Sequence, residues 1–148
     1  MNTRSIEYEE RFHSSPEETF ALLHTPSKIR GWWGVSRAIV LPETGGFWTV
    51  TWGENEDEPE YIATATIREF HPPRRLVLAD YRYHAKAGSL PFEADFLTTF
   101  TVTPTDDGSL LHVRQEGFPA ASEADAFYNA CIQGWKDTFL GIRRFLTL

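Results

Sequence analysis

Apolar and polar residues alternate along much of this chain, and that alternation predicts β-strands. In the first segment Ile6, Tyr8, Glu10 and Phe12 fall on one side, and polar residues fall on the other. A period of two is typical of a strand with one solvent-facing side. The same reasoning predicts further strands over residues 36–41, 47–53, 61–70, 75–83, 92–103 and 110–117. Because short turns join these segments, we expect an antiparallel meander.

Two short helices are predicted between the first strand and the second. Residues 15–18 read Ser-Pro-Glu-Glu, which supplies a capping serine, a proline at the first helical position and the glutamate of a capping box. The Thr25-Pro26 pair is expected to end that helix and to begin a second one. This second helix is predicted to run through Ile29 and to end at Gly31.

The C-terminal segment is predicted to form one long helix. Apolar residues recur there at steps of three and four, while charged residues lie largely on other sides of the helix. The apolar positions are Phe127, Cys131, Trp135, Thr138, Ile142 and Phe145. Ser122 is expected to cap the helix, with Glu123 and Asp125 in a first turn where the helix dipole favours acids. At 1.5 Å per residue it would extend about 39 Å.

The element order β-α-α-β-β-β-β-β-β-α predicts an α+β fold. A sheet of about seven strands must bury its apolar face, and the final helix offers a large apolar stripe for that purpose. We therefore expect a curved antiparallel sheet wrapped around the C-terminal helix, with the two short helices closing one end. Residues 1–148 are expected to form a single domain, because the chain has ordinary domain length and shows no repeat or linker.

Composition and charge narrow the range of partners. The net charge of −7 repels phosphate backbones and no basic stripe offsets it, so nucleic-acid binding is not expected. Membrane insertion is not expected either, since no segment is long and apolar enough. A start without a secretory signal and a single cysteine, Cys131, favour a cytoplasmic location. The aromatic content of 14% fits either a heavy core or a ligand cavity.

The chain offers no clear set of groups for catalysis or metal binding. The five histidines lie in separate elements without ligand spacing, so neither a metal nor another cofactor is predicted. Cys131 lies on the apolar helical stripe and is interpreted as a core residue. We expect Tyr81 to point inward, and Asp80 and Arg82 to form a surface ion pair. An inward Asp80 would instead make an acid–base role conceivable, so no catalytic residue is assigned.

Four motifs occur in a fixed order along the chain. They are Ser15-Pro16-Glu17-Glu18-Thr19-Phe20 after the first strand, Trp32-Trp33-Gly34, Pro72-Pro73-Arg74-Arg75-Leu76-Val77, and Gly117-Phe118 followed by Gly134-Trp135. Together they resemble the START-like, or SRPBCC, helix-grip superfamily. Within it the chain is most similar to the branch related to the C-terminal domain of the activator of the ninety-kilodalton heat-shock-protein ATPase. The resemblance covers nearly the whole chain.

The resemblance implies a fold more specifically than a function. Members of the superfamily are similar in housing apolar ligands between sheet and helix, yet some are polyketide cyclases, some are lipid carriers and some act on the chaperone. Our leading hypothesis is a module that binds a small apolar or amphipathic ligand, such as a lipid, a sterol or an aromatic polyketide-like molecule. The cavity is expected to be lined by Trp33, Trp48, Trp52, Tyr81, Phe96, Phe100, Gln115, Trp135 and Phe139.

Several interpretations stay open beside this hypothesis. Gln115 should point inward, where its amide would bond either a ligand or a neighbouring side chain or water. Gly134 and Gly141 in the helix, like Ala63 and Ala65 in the sheet, would either leave space for a ligand or permit tight packing. A chaperone-associated regulator is the alternative function, and it would need an exposed patch, for example around Trp32 and the acidic loop at 54–60. A cyclase-like enzyme comes third.

Overall fold

The computed structural model describes residues 2–88, 92 and 94–147. The strands are β1 (Thr3–Phe12), β2 (Arg37–Val40), β3 (Phe47–Trp52), β4 (Tyr61–His71), β5 (Arg75–Ala85), β6 (Leu97–Thr105) and β7 (Gly108–Pro119). The helices are α1 (Pro16–His24), α2 (Pro26–Trp33) and α3 (Asp125–Leu146). All seven strands form one antiparallel sheet in the order β1-β7-β6-β5-β4-β3-β2. The predicted α+β helix-grip architecture is confirmed.

The hydrophobic core lies between the sheet and the helices. Val50, Leu111 and Val113 from the sheet are fully buried, as are Phe139 and Ile142 from α3. The short helices α1 and α2 add their own apolar side chains to the same cluster and close one end of the fold. Because the sheet and α3 each have only one strongly apolar side, packing them together buries both.

Helix α1 begins at the predicted residue, with a variation on the predicted cap. The Ser15 hydroxyl accepts a hydrogen bond from the Glu18 backbone N–H at 3.2 Å. The hydroxyl also donates to the Glu18 carboxylate at 3.0 Å. In a capping box that carboxylate would instead accept from the backbone N–H of the serine. This arrangement still satisfies one of the free N–H groups of the first turn.

Helix α2 is longer than predicted, and the expected end at Gly31 is wrong. The helix continues to Trp33 and ends where Gly34 adopts a left-handed conformation with φ 72°. Gly31 instead lets the Phe145 ring pack closely against α2, because a Cβ at that position would clash with the ring. A glycine inside a helix can therefore reflect a close contact rather than a helix end.

Two further boundaries differ from prediction. Ser122 does not cap α3, because it lies in a short 3-10 turn (Ser122–Ala124) that leads into the helix. The helix itself has 22 residues, which gives it a length of about 33 Å. Strand β6 begins at Leu97 rather than at residue 92, while the Phe92 ring packs against Phe127 at 5.5 Å. In the part of the chain that the structure describes, no helix is long and apolar enough to cross a membrane.

Candidate ligand-binding cavity

A cavity of about 570 Å³ lies between the sheet and α3. Strands β3 to β7 form one wall, the middle of α3 forms the opposite wall, and α2 closes one end. The lining residues are Leu23, Trp32, Trp33, Trp48, Trp52, Ala63, Leu78, Tyr81, Tyr83, Phe96, Thr98, Phe100, Gln115, Phe127, Cys131, Gly134, Trp135, Asp137 and Thr138. The walls are therefore mainly aromatic.

Eight of the nine residues predicted from the sequence line this cavity, and Phe139 is the exception. The Phe139 ring is fully buried and packs against Tyr8 and Phe12, with centroid distances of 4.8 and 6.4 Å. Its spacing from Trp135, one helical turn earlier, suggested that both face the cavity. The side chains of β1 fill the space beneath this last part of α3, so Phe139 belongs to the core.

The inward position of Tyr81 depends on a bulge in β5. The register between β4 and β5 shifts between Thr64 and Thr66, and opposite this shift Asp80 has a positive φ of 52°. An extra residue in one strand reverses which side chains face the core. Leu78 before the bulge and Tyr81 after it therefore both line the cavity, although their spacing along the chain is odd.

The bulge also determines the position of the two charged residues beside it. Asp80 and Arg82 are both exposed, and neither lines the cavity. The predicted surface ion pair between them is not formed, because Arg82 has no salt bridge among the described residues. The inward acid–base pair that a cyclase-like reaction would require is thus not present in this arrangement.

Gln115 joins the two walls of the cavity. The Trp135 indole N–H donates to the Gln115 side-chain carbonyl oxygen at 2.7 Å. The Gln115 amide nitrogen makes no hydrogen bond to another described residue, and Gln115 lines the cavity. The side-chain oxygen of Gln115 is therefore used by Trp135, and its two N–H donors have no partner among the described residues.

The tryptophans at the closed end are held in place by the backbone of α1. The indole N–H of Trp32 donates to the Leu22 carbonyl at 2.9 Å, and that of Trp48 donates to the Leu23 carbonyl at 3.1 Å. These carbonyls belong to the last turn of α1, where helical partners are lacking. Because both rings are fixed by hydrogen bonds and by packing, this wall is formed before any ligand arrives.

Trp33 covers Trp32 and extends the aromatic surface toward the cavity. Its ring stacks on Trp32 at 5.3 Å, lies 5.8 Å from Trp48 and meets Trp52 edge-on at 5.1 Å. Trp32 is only 8% exposed beneath this cover. The suggestion of an exposed patch around Trp32 is therefore wrong.

The ionisable groups on the cavity wall are mostly neutral. The Tyr81 hydroxyl donates to Thr98 Oγ1 at 2.9 Å, and burial raises the pKa of Tyr81 although that hydrogen bond opposes the shift. Burial likewise raises the pKa of Cys131 to about 11. Both groups therefore keep their protons at neutral pH. Among the described residues, Asp137 is the one carboxylate side chain that lines the cavity, and no Lys, Arg or His does.

Sequence reasoning missed several lining residues whose signals were present. Phe127, Cys131 and Thr138 lie on the same helical stripe as Trp135. Thr98 alternates with Phe96 and Phe100, and its polarity hid its inward position. Periodicity identifies the side of an element that faces inward, but it does not separate core contacts from cavity contacts.

No group of three or more His, Cys, Asp or Glu side chains that could hold a metal ion occurs within residues 2–88, 92 and 94–147. Cys131 lies on the cavity wall rather than in the packed core, which corrects its interpretation from the sequence. The site thus combines mainly aromatic walls with the Gln115 amide, the Cys131 thiol and the Asp137 carboxylate.

Comparison with known protein families shows to which family the chain belongs. The family model described as "Activator of Hsp90 ATPase homolog 1-like protein" matches residues 13–147. The chain belongs to this family. The match includes both short helices, β2 to β7 and α3, so every element that lines the cavity lies within the family's common region. Among curated proteins, none matches the chain.

Several solved structures share the fold of this family member. Protein MLL2253 from Mesorhizobium loti is 20% identical, with a TM-score of 0.77 and 97% of each chain covered. An uncharacterised protein from Rhizobium leguminosarum is 14% identical, with a TM-score of 0.78 over 99% of this chain and 95% of that chain. CalU16 from Micromonospora echinospora is 18% identical, with a TM-score of 0.69 over 97% of this chain and 76% of that chain. At such identities the likeness concerns the fold alone.

Proposed function

We propose that this protein binds a small apolar or amphipathic ligand, such as a lipid, a sterol or an aromatic polyketide-like molecule, in the cavity between the sheet and α3. The observation that carries the proposal is an aromatic-walled space of about 570 Å³ that the protein's own side chains leave unfilled. Protein interiors normally pack at the density of organic crystals, so a space of this size needs a reason. Its volume lies within the range of about 300–1,000 Å³ that is common for ligand pockets.

The architecture of the walls supports the proposal. Trp32 and Trp48 are each fixed by a hydrogen bond to a backbone carbonyl, so the ligand would not need to order them. A site that is already ordered loses less entropy on binding. Burial of apolar ligand surface would drive association at about 25 cal/mol per Å² before such costs. The free N–H donors of Gln115 supply the kind of single polar group that orients a guest in an apolar pocket.

A route into the cavity also exists. Tyr83, Gly134 and Asp137 line the cavity and are exposed, so they mark its mouth between β5 and α3. Apart from its chain neighbours and the nearby backbone of α3, no described residue has an atom within 4 Å of the position that a Cβ at Gly134 would occupy. Gly134 therefore leaves room beside the mouth of the cavity.

The chaperone-regulator alternative is weaker on this structure. It was based on an exposed patch around Trp32, yet that residue is buried beneath Trp33. The acidic stretch is largely exposed, and two of its side chains, Glu56 and Glu58, already pair with Arg37 and Lys86. The two features on which this alternative was based therefore give it no support.

Cys131 provides a direct test because it is the only cysteine of the chain and lines the cavity. N-Phenyl-1-naphthylamine, an apolar fluorescent dye, should bind saturably and slow the reaction of Cys131 with methyl methanethiosulfonate. Because thiolate is the reactive form and the pKa of Cys131 is raised to about 11, the unliganded rate should still rise with pH above about pH 9. Protection should follow the same concentration dependence as the dye fluorescence.

A matched control uses the same helix. Gln133 is exposed and does not line the cavity, so a Gln133→Cys, Cys131→Ser double variant carries its thiol outside the site. The dye should leave the reaction of that thiol unchanged. No protection of Cys131, or equal protection of both thiols, would overturn the proposal. Native mass spectrometry of freshly purified protein would then be the means of naming a co-purifying ligand.

A further inference from the structure

We infer that the cavity selects its ligand by charge: it accepts flat aromatic molecules that are neutral or cationic, and it excludes those with a carboxylate, sulfonate or phosphate. This inference rests on the proposed function and adds the chemical class of the ligand. It excludes fatty acids and phospholipids as natural occupants. Three features of the molecule support it, namely the shape of the walls, their lack of cations and the charge around the mouth.

The walls favour flat aromatic guests. Ten of the nineteen lining residues are aromatic. Beyond the cavity edge the aromatic surface continues from Trp52 to Tyr61 at 6.4 Å and from Tyr61 to Tyr83 at 6.0 Å. Aromatic rings gain from offset-stacked and edge-to-face contacts with other rings in addition to apolar burial. A planar ring system meets such surfaces from the mouth to the closed end.

The walls offer nothing that would neutralise an anion. No Lys, Arg or His side chain lines the cavity among the described residues. The residues outside the described ranges, which carry no basic side chain, are Met1, Ser89, Leu90, Pro91, Glu93 and Leu148. A carboxylate or sulfonate carried into this space would lose its hydration without gaining a countercharge, and that loss is costly. Lipid acids and phosphate esters are disfavoured for this reason.

The charge around the mouth is negative. Asp137 lies on the rim of the cavity. The loop over residues 54–60 connects Trp52 of the cavity wall to Tyr61, and it carries five acidic side chains. Only two of these, Glu56 and Glu58, form ion pairs with described residues. The three other acidic side chains contribute to the net charge of −7, and this local negative charge would repel an approaching anion and attract a cation.

Basic residues that lie close to lining residues along the chain, such as Arg82, Lys86 and Lys136, do not themselves line the cavity. Arg82 lies between Tyr81 and Tyr83 along β5, but it is exposed and does not line the cavity. Lys86 pairs with Glu58 at 3.2 Å, so its charge is partly neutralised. A neutral guest with a carbonyl, hydroxyl or amine acceptor would instead find the free N–H donors of Gln115.

A matched pair of dyes tests the inference. N-Phenyl-1-naphthylamine and 1-anilinonaphthalene-8-sulfonate share the same rings and differ by one sulfonate group. We expect the neutral dye to bind at least about tenfold more tightly at low ionic strength, as measured by fluorescence titration. If a dye slows the reaction of Cys131 with methyl methanethiosulfonate, that dye is bound in the cavity. Equal or tighter binding of the sulfonate there would overturn the inference while leaving the proposed function in place, whereas saturable binding of neither dye would overturn both.

Variants at the rim separate charge from general apolarity. Asp137 is exposed, so Asp137→Asn and Asp137→Lys should both fold. The quantity to compare is the dissociation constant of the sulfonate dye divided by that of the neutral dye. If charge selects the ligand, this ratio should fall several-fold in Asp137→Lys and by less in Asp137→Asn. Added salt should reduce these differences between the proteins. A ratio that is the same in all three proteins would mean that the sulfonate is rejected for its size or polarity, and it would overturn the charge-based inference.

Discussion

At the residue scale, one hydrogen bond connects the two walls of the cavity. The Trp135 indole on α3 donates to the Gln115 side chain on β7 at 2.7 Å, and both residues are half-buried. A bond of this kind contributes about 1 kcal/mol to stability, and leaving its donor unpaired costs a similar amount or more. Gln115 therefore has a structural role through its oxygen and a separate binding role, under our proposal, through its nitrogen.

The two roles can be separated by mutation. Gln115→Leu should lower the free energy of unfolding by about 1 kcal/mol, because the Trp135 N–H loses its acceptor. Trp135→Phe removes the donor but keeps a ring in contact with Phe100, which lies 5.8 Å away. In a double-mutant cycle measured by urea denaturation, the two changes should show a coupling energy of about 1 kcal/mol. A coupling energy near zero would mean that the bond does not contribute to stability in solution.

At the element scale, α3 has two glycines seven residues apart with opposite surroundings. A Cβ at Gly141 would clash with the Trp32 carbonyl oxygen, so this glycine permits close packing of α3 on α2. A Cβ at Gly134 would meet no atom of the other described residues within 4 Å, outside the nearby backbone of α3. Packing explains the first glycine, and the second lies where α3 borders the mouth of the cavity.

Alanine substitutions at the two glycines should therefore change stability in opposite directions. Gly134→Ala should raise the free energy of unfolding by about 0.5–1 kcal/mol, because alanine is the better helix former and has room. Gly141→Ala should lower it by about 1–3 kcal/mol, because the new methyl group forces α2 and α3 apart. Thermal and urea denaturation of both variants measure these changes. Destabilisation by Gly134→Ala would show that the space beside the helix is occupied in the folded protein.

The sequence was sufficient to predict most elements, because their signals are local. Strand alternation, the Ser-Pro start of α1 and the apolar stripe of α3 all depend on neighbouring residues. The bulge at Asp80 could not be predicted, since its positive φ depends on the register in which β5 pairs with β4, which no neighbouring residue signals. The end of α2 was misplaced for a similar reason. Gly31 looks like a stop signal until Phe145, more than a hundred residues away, is seen to pack against it.

At the scale of the whole molecule, one half of α3 packs against the core and the other half borders the cavity. Its C-terminal half packs on β1, where Phe139 contacts Tyr8 and Phe12, and Arg143 donates to the Arg11 carbonyl at 3.0 Å. The middle of the helix borders the cavity instead. The pattern along the helix is equally apolar in both halves, which is why the sequence placed Phe139 at the cavity. The cavity ends where β1 and α2 pack against the C-terminal half of the helix.

This division predicts that stability and binding respond differently to the same substitution in the two halves. Phe139→Leu should lower the free energy of unfolding by about 1–2 kcal/mol and leave the dissociation constant of N-phenyl-1-naphthylamine within about twofold. Phe100→Leu should weaken dye binding several-fold, because Phe100 lines the cavity beside Trp135. Fluorescence titration and urea denaturation of the same samples give both quantities. If Phe139→Leu weakened binding as much as Phe100→Leu, a change of packing in the core would also change the shape of the cavity. The two halves of α3 would then not be independent, which would contradict this prediction.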